Sequence, residues 1–120
     1  MSCLFDSLSY FIYENGIDIR NKICDYLEQN KPIMDGVETN KIIEYENNCV
    51  KTYINNMRST STMGGAIEIQ VACNIWNMSI NVHNYRDPSN KIIQFIPIHK
   101  IYYKTIDIYW TGGHYEPIKK

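Results

Sequence analysis

The sequence predicts an α/β domain whose central β-sheet comes from the C-terminal half and is packed by helices from the N-terminal half. Three observations carry that expectation. Apolar residues recur at helical spacing as far as about Trp76. From Ser79 onward they alternate with polar neighbours and are mostly β-branched or aromatic. No internal repeat, linker or low-complexity stretch interrupts the 120 residues, so residues 1–120 read as one domain.

Leu4, Leu8, Phe11 and Ile12 fall on one helical face, which predicts a first helix from Cys3 to Tyr13. Asn15-Gly16 stops it. Asp18 is expected to cap a second helix carrying Ile19, Ile23, Tyr26 and Leu27 inward, and Lys31-Pro32 ends that helix. The stretch from Ile33 to Asn48 is polar, with a turn at Asp35-Gly36 and a short helix near Ile42. Val50, Tyr53, Ile54 and Met57 match the i, i+3, i+4, i+7 pattern of another helix, and Arg58 to Gly65 reads as a loop. Ala66 to Trp76 is ambiguous. Ile67, Ile69 and Val71 alternate as in a strand, yet the stretch outlasts a typical strand, follows Gly-Gly and has no breaker, which favours a largely buried helix. Ile80 and Val82 mark a strand, Arg86 to Asn90 a turn, and Ile92 to Ile98 and Thr105 to Tyr109 two further strands. Tyr115 to Ile118 is expected to form a last short strand.

Composition narrows the function. A formal charge of −1 offers no basic field for nucleic acid. Acidic residues gather between Glu14 and Glu46 and lysines between Lys91 and Lys120, as solvated helix faces and lysine-blunted strand edges would require, although an acidic face for a basic partner fits the same pattern. No apolar run approaches the roughly 20 residues of a membrane span, and no signal peptide precedes Cys3. The expectation is an intracellular, cytoplasmic monomer that engages neither nucleic acid nor membrane. Its richness in Ile, Asn, Lys and Tyr fits an A+T-rich genome, such as that of a large DNA virus or an intracellular microbe. A reducing compartment argues against disulfides, so Cys24, Cys49 and Cys73 are expected as buried free thiols. Neither Cys-x-x-Cys nor His-x-x-x-His spacing occurs, so no metal site is expected.

The chemistry lies at the two ends. Cys3 opens a helical stretch, where the helix dipole lowers a thiol pKa by a modest amount, and His114 lies in the closing run Thr111 to Glu116. A cysteine and a histidine remote in sequence meet only on folding, and an imidazolium beside a thiol stabilises the thiolate far more than a dipole does. Gly112-Gly113 gives the backbone freedom to present His114. Glu116, two residues on, shares its face of an extended strand; it either orients the ring or is a surface carboxylate. Trp110 is either a groove wall or a core residue, and His83 and His99 read as structural or surface residues.

Cys3-Leu4-Phe5-Asp6-Ser7-Leu8 resembles the nucleophile segment of the ovarian-tumour (OTU) cysteine proteases, written Asp-Gly-Asn-Cys-Leu-Phe. Thr62-Met63-Gly64-Gly65, followed by Glu68 and Ala72, is similar to that family's Thr-Trp-Gly-Gly segment and the helix after it, and Gly113-His114-Tyr115 to its histidine motif. The resemblance covers nearly the whole chain. It implies the OTU-like fold, a helix at Ala66 to Trp76, and deubiquitination: Cys3 as nucleophile, His114 as base and Glu116 in the place usually held by Asp or Asn. It also implies a substrate ending in Gly-Gly, threaded past Trp110, Gly112, Gly113, Met63 and Gly64, with ubiquitin or a ubiquitin-like protein as partner and no cofactor. Met63 stands where the family has tryptophan, and Met1-Ser2 stands before Cys3 where it has Asp-Gly-Asn, a loop whose amides build the oxyanion hole. That departure motivates an alternative expectation, a weak or inactive ubiquitin-binding module of the same fold.

Overall fold

Helix and sheet divide the chain much as the periodicity predicts. The computed structural model describes residues 3–46 and 49–119. Along the chain run α1 (Cys3–Ser9), α2 (Gly16–Glu28), a hairpin of β1 (Pro32–Met34) and β2 (Val37–Glu38), α3 (Thr39–Tyr45), α4 (Val50–Arg58), α5 (Ala66–Trp76), β3 (Met78–Asn84), β4 (Ile92–Phe95), β5 (Lys104–Trp110) and β6 (Tyr115–Pro117). The main sheet has the order β4-β3-β5-β6, with β3 and β5 parallel and the outer pairs antiparallel. One face of it, carrying Met78, Ile80, Val82, Ile106, Ile108 and Tyr115, is buried against the helices. The opposite face carries Asn81, His83, Thr105, Asp107 and Tyr109 and is more open. This is the mixed α/β architecture that the sequence predicts.

α5 resolves its own ambiguity. Ile67, Ile69, Val71, Ala72 and Cys73 are all buried, because the helix lies between α2 and the sheet. A helix covered on several sides is apolar nearly all round, so stretches of it alternate by chance. It ends at Asn77, whose left-handed backbone (φ 50°, ψ 51°) turns the chain directly into β3.

Several boundaries differ from expectation, each for a local reason. α1 stops at Ser9 rather than Tyr13, and residues 10–14 turn tightly, with the Phe11 carbonyl accepting from Lys104 Nζ at 2.7 Å. The cap of α2 is Asn15, not Asp18: Asn15 Oδ1 accepts the Asp18 N–H at 2.8 Å. The Asp35-Gly36 turn joins two strands too short to show alternation in sequence, with Gly36 at φ 73°. β4 ends at Phe95 instead of Ile98. Pro97 has no N–H for the ladder, and Gln70 and Asn74 of α5 take over the Ile96 carbonyl (2.7 Å) and the Ile98 N–H (2.8 Å). Cys24 and Cys73 are buried free thiols, whereas Cys49 is exposed at the start of α4. The end of the polar stretch at Asn48, and Met1-Ser2, lie outside the described residues.

Candidate active site

The first described turn of α1 is pinned by its burial. Leu4, Phe5 and Leu8 have no exposed surface, each contributing about 1.5–3 kcal/mol, and the Ser7 hydroxyl donates to the Cys3 carbonyl at 2.7 Å. Cys3 stays half-buried at the margin of that core. The loop before α5 is pressed against the same turn. A Cβ on Gly64 would lie 2.6 Å from Leu4 Cδ2 and 3.0 Å from Phe5 Cζ, so only glycine lets the backbone approach so closely. Behind the loop, the buried Glu68 carboxylate accepts the Gly65 N–H at 2.7 Å and the Tyr53 hydroxyl at 2.6 Å. Burial raises the Glu68 carboxyl above its ordinary range, and those two hydrogen bonds pull it back only in part.

β6 brings the other half of the site. It packs beside α1, and Cys3, Asp6, Ser7, His114, Tyr115, Glu116 and Pro117 line one cleft of about 250 Å³. His114 Nε2 meets Glu116 Oε2, as the i, i+2 spacing on an extended strand requires. The Thr111 N–H donates to the His114 carbonyl at 3.1 Å, which closes the turn between β5 and β6. Within that turn Gly112 has φ 107°, and a Cβ there would meet Arg86 Cδ at 2.9 Å, whereas Gly113 has open space around it. Burial raises the Tyr115 hydroxyl above its ordinary pKa, and its nearness to Cys3 and Glu68 adds to the effect.

The residues expected at the site therefore separate into two groups. Cys3, His114 and Glu116 share the cleft. Trp110 lies instead in an adjoining apolar groove with Ala66, Ile69, Ile93 and Phe95, and Tyr115 borders both. Met63 packs on the core and Gly64 on α1, outside the cleft lining. Sequence reading missed Asp6, one helical turn from Cys3 and legible from that spacing. It also missed Arg86, whose place over Gly112 has no sequence signal. His83, expected as a structural or surface residue, has an acidic partner that no sequence spacing showed: its Nε2 lies 2.9 Å from Asp107 Oδ1 on the neighbouring strand. His99 is exposed, as expected. Burial pushes the thiols of Cys24 and Cys73 up to about 11 and about 12, so neither competes as a nucleophile near neutral pH. Among the described residues no group of three or more His, Cys, Asp or Glu is arranged to hold a metal ion, and no helix is long and apolar enough to cross a membrane.

Residues 2–115 match the family model described as OTU-like cysteine protease. Among solved structures, an ovarian tumor (OTU) domain in complex with ubiquitin superposes with a TM-score of 0.77 at 23% identity, over 97% of this chain and 62% of that one. An OTU deubiquitinase from Wolbachia pipientis wMel bound to ubiquitin gives 0.70 at 19% identity, over 99% of this chain and 90% of the other. The viral OTU domain protease from Dera Ghazi Khan virus gives 0.68 at 18%, over 98% and 76%. At such identities the likeness is one of fold, and the chain spans under two thirds of the first of these structures. No curated protein sequence matches it.

Proposed function

The chain belongs to the OTU-like cysteine protease family, and on that footing we propose that it is a deubiquitinase acting inside a cell, hydrolysing isopeptide bonds at the C-terminal glycine of ubiquitin. One observation carries the proposal: a cleft lined at once by a half-buried thiol, an imidazole and the carboxylate paired with that imidazole.

An ionised carboxylate can only accept, so the pairing with Glu116 puts a hydrogen on His114 Nε2 and leaves Nδ1 as the ring's proton acceptor. In the reaction the Cys3 thiol gives its proton to Nδ1, and the thiolate sulfur attacks the glycine carbonyl carbon. Collapse of the tetrahedral intermediate breaks the C–N bond, and the imidazolium returns the proton to the departing lysine amine. Water then surrenders a proton to the imidazole and attacks the thioester. Collapse of this second intermediate breaks the C–S bond, the imidazolium returns its proton to the sulfur, and the product leaves as a carboxylic acid that ionises in water. Glu116 fixes the tautomer throughout and stabilises the imidazolium. The backbone N–H of Cys3 is one donor for the oxyanion. The apolar groove with Trp110 carries the substrate chain, and Gly113, with open space around it, leaves room for a Gly-Gly terminus. No cofactor enters this scheme.

A ubiquitin bearing a C-terminal electrophile tests the proposal. The expected result is a one-to-one covalent adduct on Cys3 that is absent in Cys3→Ala. Reversible binding without an adduct would favour a ubiquitin-binding module, and neither binding nor adduct would overturn both readings.

A further inference from the structure

The pairing of His114 with Glu116 is open to water, the two side chains being 53% and 44% exposed. An ion pair so exposed holds its geometry poorly by itself, because screening and side-chain entropy offset the attraction. If Glu116 orients the imidazole, something must hold the carboxylate. The sheet register supplies a candidate. Tyr109 stands directly opposite Glu116 in the β5–β6 pair, on the face turned away from the buried Ile108 and Tyr115. Side chains opposed in this way start from Cβ atoms roughly 4.5–5.5 Å apart, within reach of an aromatic ring.

Tyr109 is itself braced. Its ring stacks on Tyr85 with centroids 4.8 Å apart and planes at 20°. The Tyr85 backbone N–H donates to the Trp110 carbonyl at 2.9 Å, and the ring meets His83 edge-on at 6.2 Å. His83 in turn is held by Asp107 at 2.9 Å, and Asn81 donates to the same carboxylate oxygen at 3.2 Å. A continuous run of contacts on the open sheet face thus leads from β3 to the strand position beside Glu116. The proposed mechanism assigns none of these residues a role.

We propose that Tyr109, propped by Tyr85, is a positioning residue for Glu116: an aromatic wall that keeps water off one side of the carboxylate and holds it on His114 Nε2. This rests on the reading of Cys3, His114 and Glu116 as a working triad. Among the described residues, the other charged or titratable groups around the pair are Cys3 and Asp6 from α1, Tyr115 in the same cleft, Arg86 over Gly112, and the Asp107–His83 pair on the same sheet face. All stay in place when only Tyr109 is changed, so a shift in pH behaviour reports the wall.

The test is iodoacetamide alkylation of Cys3 in the full chain from about pH 5 to about pH 9, followed by peptide-resolved mass spectrometry so that the exposed Cys49 is counted separately. Tyr109→Ala should slow alkylation at the acid end about threefold or more, and Tyr109→Phe should stay within about twofold of wild type. In a Glu116→Gln background Tyr109→Ala should add nothing, since the wall then has no carboxylate to hold. Tyr85→Ala, a change at an exposed side chain, should weaken the acid end by about twofold, again only when Glu116 is present. Equal slowing in both backgrounds would mean a merely structural role, and no slowing by either tyrosine variant would remove the wall; both overturn the proposal. A wild-type profile indifferent to Glu116→Gln overturns it too. Because alkylation needs no ubiquitin, a failure of the deubiquitinase reading alone appears separately, as a missing adduct with the electrophilic ubiquitin.

Discussion

Gly112 shows how a single backbone angle holds the histidine. At φ 107° it occupies a conformation that side-chain-bearing residues rarely adopt, and Arg86 fills the space a Cβ would need. Gly112→Ala should therefore destabilise the fold by roughly 1–3 kcal/mol and slow Cys3 alkylation by displacing His114, whereas Gly113→Ala should change stability by less than about 0.5 kcal/mol. Urea unfolding of the two variants checks this, and equal midpoints would show that the turn does not depend on Gly112. At this scale the sequence was informative wherever a residue's partner lies close along the chain. Glu116 beside His114 follows from strand periodicity alone, and the structure joins them. The His83–Asp107 pair and the place of Arg86 come from strands and turns distant in sequence, and no spacing announces them.

Among the elements, α5 and the loop before it are tied by Glu68, whose buried carboxylate joins α5, α4 through Tyr53, and the loop through Gly65. Burial raises the folded-state pKa of Glu68 above the ordinary 4.5, so between those values the native chain holds a proton that the unfolded chain releases. Its contribution is fully present below about pH 4.5 and is lost as the pH rises through the folded-state value. Glu68→Gln lacks this dependence. Unfolding free energies measured across pH should move against wild type relative to Glu68→Gln as the pH rises above about 4.5, by up to ~1.4 kcal/mol per unit. Parallel curves would show that the carboxyl is not perturbed. Long helices were legible because α2, α4 and α5 each carry several turns of apolar spacing. Their ends were less so. The stop of α1 depends on Lys104 capturing the Phe11 carbonyl, and the early end of β4 on side chains of α5, both tertiary effects.

Over the whole molecule, the separation into N-terminal helices and a C-terminal sheet was readable from the change in periodicity near Ser79. The parallel pairing of β3 with β5, which skips β4 in the sheet order, was not. That crossover sets β5 beside β3 and leaves β6 at the free edge, where α1 packs against it and the two ends of the sequence converge on one cleft. We propose that this convergence lets Cys3 and His114 share a proton. The rate of Cys3 alkylation as a function of pH, compared between wild type and His114→Ala, decides whether it does. Wild type should stay reactive well below about pH 8, and the curve should shift upward in the variant. Two superimposable curves, each rising as an ordinary thiol does, would contradict it.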